Sequence, residues 1–171
     1  MTTKNKVTLR EATMEDAEFI YALTKDPDYQ KYFPSNLIAL DLEDQKRKLR
    51  HHIAQMQNQN GYYFIILFGK LPVGILDLYK IDRKNKRAAI GYGIEKNYWG
   101  KGIATSAVKA ALKFSKEKQK LHAISAYIYP KNTASQKVLK KCNFIKIGTL
   151  KEYDYEKGKY EDQVLYWKIL E

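Results

Sequence analysis

The residues with the clearest chemical content form a short run in which an apolar stretch ending near Glu95 leads through Trp99-Gly100-Lys101-Gly102 into an amphipathic segment. Glycine reaches backbone conformations that other residues avoid, and the first amides of a helix have no partner within the helix. With the positive end of the helix dipole, these amides form an anion site that suits a diphosphate. The run lacks the third glycine of a dinucleotide-binding fingerprint and the Gly-Lys-Ser/Thr ending of a P-loop. A tight turn without a ligand is the alternative.

The elements that position this run are predicted from apolar spacing and turn residues. The first part of the chain is predicted to form a strand over residues 7–10, a helix to about 24, a loop over 26–36 and a helix from 42 to about 56. Three meander strands follow at 62–68, 73–81 and 87–95, then a helix at 102–119, a strand at 121–129, a helix at 133–142 and hairpin strands at 144–153 and 160–170. This order predicts an α/β domain over residues 1–171, with helices on both faces of a mixed sheet.

The charge distribution points to an anionic partner. The formal net charge is +12, and the window from Asn97 to Lys146 holds many lysines and a single acidic residue, Glu117. Such an excess favours a phosphorylated ligand or a polyanion. The competing function class is a nucleic-acid binding module that stacks bases on Tyr127 and Tyr129. We favour the phosphorylated ligand over this class and expect no nucleic acid as the partner. Solvated surface lysines are the plain alternative.

Composition also limits the remaining function classes. With one cysteine, Cys142, and three histidines, the chain offers no Cys/His set for zinc, so we expect no metal. No apolar run is long enough to span a membrane, so no membrane partner is expected. Residues 1–10 carry no export signal, which predicts a cytoplasmic protein.

Three motifs in order give the chain a family resemblance. They are Asn97-Tyr98-Trp99-Gly100-Lys101-Gly102-Ile103-Ala104, then Asn132-Thr133-Ala134-Ser135, then Cys142-Asn143-Phe144. The chain resembles the GCN5-related N-acetyltransferase (GNAT) superfamily, and within it the branch of ribosomal-protein alanine acetyltransferases, with polyamine acetyltransferases nearby. The resemblance implies a mostly antiparallel sheet that binds acetyl-CoA in a V-shaped gap between strands 87–95 and 121–129. Gly91 and Gly93 fit a bulge that would splay those strands.

The resemblance also implies which residues bind the donor. The pyrophosphate would meet the backbone amides that begin the long helix, the pantetheine would pair with the third meander strand, and an asparagine side chain would bind the pantetheine or cap a helix. The residues carried over are Ile94, Trp99, Gly100, Lys101, Gly102, Ile103, Ala104, Thr105, Asn132 and Ser135.

Two departures from the family pattern affect the predicted chemistry. Asn97 stands where the family's loop usually opens with Gln or Arg, which weakens the side-chain part of the motif only. Leu139 stands where many relatives carry the tyrosine that protonates the departing thiolate. Ser135 is the first substitute for this acid, and Tyr127 or Tyr129 is the second.

The acceptor amine must lose a proton to attack a thioester. A lysine-like amine with a pKa near 10.4 is neutral in only about one molecule in 2500 at pH 7, against about a tenth for an α-amine near 8. Glu95, at the end of the third meander strand, is the first candidate base and Asp77 is the alternative. Either carboxylate could instead be an ordinary surface charge.

The sequence limits the acetyl acceptor only to a chemical class of amine. The first two helices, the loop after them and the final hairpin would supply aromatic walls from Tyr29, Tyr32, Phe33, Tyr153, Tyr155 and Tyr160. The net charge of +12 disfavours a polyamine, so we expect a protein or peptide α-amine, or else a small-molecule amine such as an amino sugar. A CoA sensor without catalysis is a further alternative, and the sequence leaves a homodimer open.

Overall fold

The computed structural model describes residues 6–171. Residues 1–5, half of the stretch searched for an export signal, lie outside the described residues. Within the described chain, no helix is both long and apolar enough to cross a bilayer.

Residues 6–171 form seven strands and five α-helices. The strands are β1 (Val7–Glu11), β2 (Tyr62–Phe68), β3 (Leu71–Asp82), β4 (Arg87–Ile94), β5 (Ala123–Ile128), β6 (Ile145–Glu156) and β7 (Lys159–Ile169). The helices are α1 (Ala17–Lys25), α2 (Pro27–Gln30), α3 (Leu42–Gln57), α4 (Ile103–Glu117) and α5 (Thr133–Lys141). Single 3-10 turns lie at Met14–Asp16, Ser35–Leu37 and Lys96–Tyr98.

The strands form one sheet in the order β1-β2-β3-β4-β5-β7-β6. Every neighbouring pair is antiparallel except β4 and β5, which run parallel. The parallel pairing covers only three residue pairs and ends at Ala89 with Ser125, after which the two strands separate. The predicted mixed sheet with a V-shaped gap is confirmed.

Helices cover both faces of this sheet, as predicted. On one face α4 and α5 pack through Ile103, Val108 and Leu139 against a core that includes Leu76 and Ile124. On the other face α1, α2 and α3 enclose a smaller core. Its members include Ile20, Tyr29, Leu49, Tyr63 and Ile75. The gap between β4 and β5 therefore lies between two sets of helices.

The predicted loop over 26–36 is wrong for its first half, where α2 forms. The Asp26 carboxylate accepts hydrogen bonds from the amides of Asp28 and Tyr29 at 2.8 and 3.2 Å. Pro27 occupies the first helical position, where its missing N–H costs nothing. This short helix fixes the direction of Tyr29, which is 8% exposed.

Candidate active site

The turn before α4 has the backbone conformation that its glycines suggested. Gly100 and Gly102 have φ of +74° and +75°, a left-handed conformation that other residues seldom adopt. Gly102 is the N-cap of α4, and its carbonyl accepts the amide of Ser106 at 3.1 Å. No acidic residue lies in the first turn. The amides that follow Gly102 begin the helix without partners inside it, as the predicted anion site requires.

The loop that enters this turn is tied to the end of β4. The indole nitrogen of Trp99 donates to the carbonyl of Ile94 at 2.7 Å, although half of the Trp99 side chain is exposed. The Lys101 ammonium lies over the ring of Tyr98, 5.0 Å from its centroid. In the first turn of α4, the carbonyl of Thr105 lies 3.7 Å from the thiol of Cys142, which follows α5. These contacts join the predicted anion site to the strand and to α5.

The edge of β4 that borders the gap has no partner strand beyond Ala89 in the described part of the chain. The Glu95 amide donates to the carbonyl of Val73 on β3 at 2.8 Å. Because backbone groups alternate sides along a strand, those of Tyr92 and Ile94 face away from β3, into the gap. The parallel ladder with β5 ends at Ala89, so no strand pairs with them. An extended chain such as pantetheine fits this edge as an added strand.

Asn132 begins α5 on the other side of the gap. Its side-chain oxygen accepts the amide of Ser135 at 3.1 Å, which is the helix-capping role foreseen for it. The carbonyl of Ser135 accepts the hydroxyl of Tyr92 at 3.2 Å, so α5 is held to β4 across the gap. Asn132, Ser135 and Tyr92 all line the adjoining cavity.

A cavity of about 940 Å³ opens from this gap toward α2 and α3. Its walls are largely aromatic, with Tyr29, Tyr32, Phe33, Tyr63, Tyr79, Tyr92, Tyr127, Tyr129, Tyr153 and Tyr155. Among the described residues, three buried side-chain polar atoms have no hydrogen-bond partner, and all three belong to residues lining this cavity: Tyr29 Oη, Tyr129 Oη and Gln163 Oε1. An unpaired buried polar atom is costly, and a polar ligand in this cavity would supply a partner.

Asp77 on β3 lies in the cavity wall beside Tyr63 and Tyr79. Burial raises the pKa of Asp77 from its ordinary 3.8 to about 6, although the backbone amides of Asp77 and Gly91 act to lower it. At neutral pH the carboxylate is thus mostly ionised, with a basicity suited to accepting a proton. His52, stacked on Tyr63 with ring centroids 4.2 Å apart, has its pKa lowered by burial to about 4 and is uncharged there.

The two glycines on β4 do not form the predicted bulge. The β3–β4 register runs without a shift from Ile94 to Ala89. A Cβ built on Gly91 would lie 2.4 Å from Asp77 Oδ1, and one on Gly93 would lie 2.3 Å from Tyr29 Oη. Both glycines therefore make room for polar side chains that reach the backbone, while the gap arises because the parallel ladder stops at Ala89.

The predicted catalytic residues separate into two groups. Ser135 and Tyr127 line the cavity, and the Tyr127 ring stacks on Tyr153 with centroids 5.5 Å apart. Glu95 lies outside the cavity lining, past the end of β4, where its carboxylate accepts the side-chain amide of Asn97 at 3.0 Å. Leu139 is fully buried in the core.

The other candidate acid, Tyr129, also lines the cavity, and burial raises the pKa of its hydroxyl to about 12. Sequence reasoning treated Tyr29 only as part of an aromatic wall and missed its unpaired hydroxyl. The spacing of Gly91 and Gly93 was the available signal, since a glycine in a strand also marks a close approach.

Comparison with known proteins decides the family. Residues 6–145 match the acetyltransferase (GNAT) domain. The chain belongs to the GNAT family. It is 30% identical over 164 residues to an uncharacterized N-acetyltransferase, p20, of Bacillus licheniformis, covering 94% of this chain and 91% of that protein. The predicted family and activity are confirmed: this GNAT chain is an N-acetyltransferase that uses acetyl-CoA.

Solved GNAT structures share the fold over nearly their whole length. The crystal structure of a ribosomal-protein-S5-alanine acetyltransferase from Vibrio fischeri is 27% identical, with a TM-score of 0.86 over 96% of this chain and 93% of that one. The structure of RimL, a ribosomal L7/L12 alpha-N-protein acetyltransferase in complex with CoA, has a TM-score of 0.90 at 22% identity, over 96% and 94% of the two chains.

The described residues fit acetyl-CoA as the donor. The amides at the start of α4 suit its diphosphate, and the free edge of β4 suits its pantetheine arm. Lys137, Lys140 and Lys141 on α5 are exposed and add positive charge to this helix, which favours an anionic ligand. No group of side chains suited to a metal ion is found among residues 6–171.

Proposed function

We propose that the acetyl acceptor is the α-amine of a peptide or protein, and that Asp77 takes its proton. The single observation that carries this proposal is the Asp77 carboxylate, which lines the cavity beside β4 with its pKa raised to about 6. Glu95, the first candidate from the sequence, lies outside that lining. The similar proteins named ribosomal L7/L12 alpha-N-protein acetyltransferase and ribosomal-protein-S5-alanine acetyltransferase support a protein as the acceptor.

The shape of the cavity favours a slender acceptor. The carboxylate of Glu156, at the end of β6, accepts the backbone amide of Ser35 at 3.1 Å and so bridges the hairpin to the segment before α3. The Tyr32 hydroxyl donates to the carbonyl of Lys131 at 3.3 Å and links the segment after α2 to the segment before α5. A peptide terminus threads between such bridges more readily than a folded surface does.

The neutral acceptor nitrogen attacks the thioester carbonyl carbon, forming an N–C bond as the C–S bond breaks, and its surplus proton passes to Asp77. The leaving thiolate, with an ordinary thiol pKa near 8.5, needs a hydrogen-bond donor more than a strong acid. The Ser135 hydroxyl supplies that donor, with Tyr127 as the alternative, and solvent then protonates the sulfur.

The test is a thiol-release assay with acetyl-CoA and a panel of amines. The panel holds a short peptide with a free α-amine, the same peptide blocked at its terminus but carrying a lysine, spermidine and glucosamine. We expect the highest kcat/KM for the free α-amine, with mass spectrometry placing the acetyl group there. A higher value for spermidine or glucosamine contradicts the acceptor class.

A binding measurement separates this outcome from the absence of catalysis. Acetyl-CoA at a hundred times its Kd should stabilise the folded protein by about 2.7 kcal/mol in thermal unfolding. Stabilisation without thiol release from any amine in the panel would identify a CoA sensor.

A further inference from the structure

The hydroxyl of Tyr29 is buried at the cavity wall and has no hydrogen-bond partner in the described part of the chain. The ionisable side chains of Tyr63 and Asp77 act on this hydroxyl electrostatically, but it forms a hydrogen bond with neither. The ring is held on α2 by Phe33, with centroids 5.1 Å apart, and it packs against Gly93. Folding has therefore placed a polar atom where no group among residues 6–171 satisfies it, which is costly unless a ligand supplies the partner.

The other two unpaired atoms have a simpler explanation. Tyr129 and Gln163 are neighbours whose side chains interact with each other. The amide nitrogen of Gln163 already donates to Asp154 at 2.6 Å. No described side chain interacts with the Tyr29 hydroxyl in this way. Its hydrogen-bond partner must therefore come from a ligand.

Tyr29 and Asp77 occupy adjacent positions on the same face of β4. The carboxylate covers Gly91 and the hydroxyl covers Gly93, two positions about 6.6 Å apart along a strand. Between them runs the backbone of Tyr92, whose amide and carbonyl face the gap where the acetyl donor binds. A nitrogen held between the two side chains would lie against this edge, beside the thioester.

We propose that Tyr29 Oη is the second hydrogen-bond partner of the acceptor nitrogen, which lies between Tyr29 and Asp77 over the two glycines of β4. This inference rests on the proposed function and adds to it the residue that orients the amine. A primary amine carries two N–H bonds once it is neutral, and the two oxygens accept one each. A neutral hydroxyl suits the second position, since a second carboxylate would hold the amine in its charged, unreactive form.

Tyr29→Phe tests the inference, because it removes the hydroxyl and keeps the ring against Gly93 and Phe33. We expect kcat/KM for the preferred amine to fall about tenfold, the worth of about one hydrogen bond. The stabilisation by acetyl-CoA should not change, and the melting temperature should stay level or rise, because the removed atom was unpaired. A merely structural role would instead lower the melting temperature.

Tyr62→Phe is the matched control, since the Tyr62 hydroxyl donates to Gln119 at 2.6 Å away from the cavity, and its kinetics should equal those of the wild type. Gly93→Ala is a second variant that displaces the Tyr29 hydroxyl and should lower kcat/KM in the same direction. An unchanged kcat/KM in Tyr29→Phe, or a loss of acetyl-CoA binding, overturns the inference. A wild type that acetylates no amine would instead refute the proposed function.

Discussion

Asp77 and Gly91 face each other across β3 and β4 so closely that a Cβ on Gly91 would lie 2.4 Å from Asp77 Oδ1. The register pairs these two residues directly. The absence of a side chain at position 91 therefore determines where the carboxylate stands, and the carboxylate cannot keep that place beside any larger residue.

Gly91→Ala should displace the Asp77 carboxylate while the strands stay paired. We expect kcat to fall by about 10- to 100-fold, since a displacement of about 1 Å at a reacting group costs that much. The thermal stabilisation by acetyl-CoA should remain. Gly148→Ala is the matched control, because a Cβ there meets nothing within 4 Å, and its activity should be that of the wild type. Equal kcat in both variants would contradict the role given to Asp77.

Asp77→Asn should lower kcat/KM by about 10²- to 10⁴-fold, the usual contribution of a positioned base. The wild type should show kcat/KM rising with pH through the raised pKa of about 6, because only the ionised carboxylate accepts a proton. This limb should be missing from the pH profile of the variant. Glu95→Gln should be measured in parallel. A larger loss of kcat/KM in that variant would identify Glu95, and not Asp77, as the base.

The same Asp77→Asn substitution should stabilise the fold at neutral pH. The folded-state pKa of about 6 lies above the ordinary 3.8, so ionisation of Asp77 lowers the free energy of unfolding as pH rises through 6. The variant has no carboxylate to ionise there. Its free energy of unfolding should therefore exceed that of the wild type by up to about 3 kcal/mol at pH 8, with little difference at pH 4. Chemical denaturation at the two pH values measures it, and a variant less stable at pH 8 would refute the argument.

Gly102→Trp should abolish acetyl-CoA binding and leave the protein folded. A Cβ there meets no atom within 4 Å, but φ is +75°, so the side chain strains the turn and covers the unpaired amides. Gly158→Trp in the β6–β7 turn has φ +84° and equally open space, so it controls for strain alone. Calorimetry with acetyl-CoA should detect binding in the control only. Binding retained by Gly102→Trp would count against the site.

Ser135→Ala should lower kcat about tenfold with little change in acetyl-CoA affinity, as expected for a lost hydrogen bond to the departing sulfur. The backbone amide that Asn132 binds remains, so the cap of α5 is preserved. Tyr127→Phe in the same assay tests the alternative donor. Unchanged turnover in Ser135→Ala would remove Ser135 from the mechanism.

Periodicity was enough to predict most of the fold. Leu76 and Leu78 point to one core and Asp77 to the other face, as alternation along a strand requires. The short helix α2 was missed although Asp26-Pro27 is a strong start signal, because a four-residue helix has no apolar period to detect.

The site was harder to predict than the fold. The turn at Gly100 and Gly102 is local, so its conformation follows from neighbouring residues. The positions of Asp77 and Tyr29 depend on which residues face Gly91 and Gly93 across strands and helices distant in sequence. For the same reason, the sequence placed Glu95 ahead of Asp77 as the candidate base, whereas the cavity lining includes Asp77 and not Glu95.

The contacts expected to hold the acetyl donor belong mainly to the main chain, in the turn before α4 and along the free edge of β4, whereas the cavity beyond them is walled by side chains. Substitution changes side chains and leaves the backbone path largely intact. Mutation can therefore change which acceptor is bound while the backbone contacts to the donor stay the same. Paralogues with this fold can thus differ in their targets and still catalyse the same acetyl transfer.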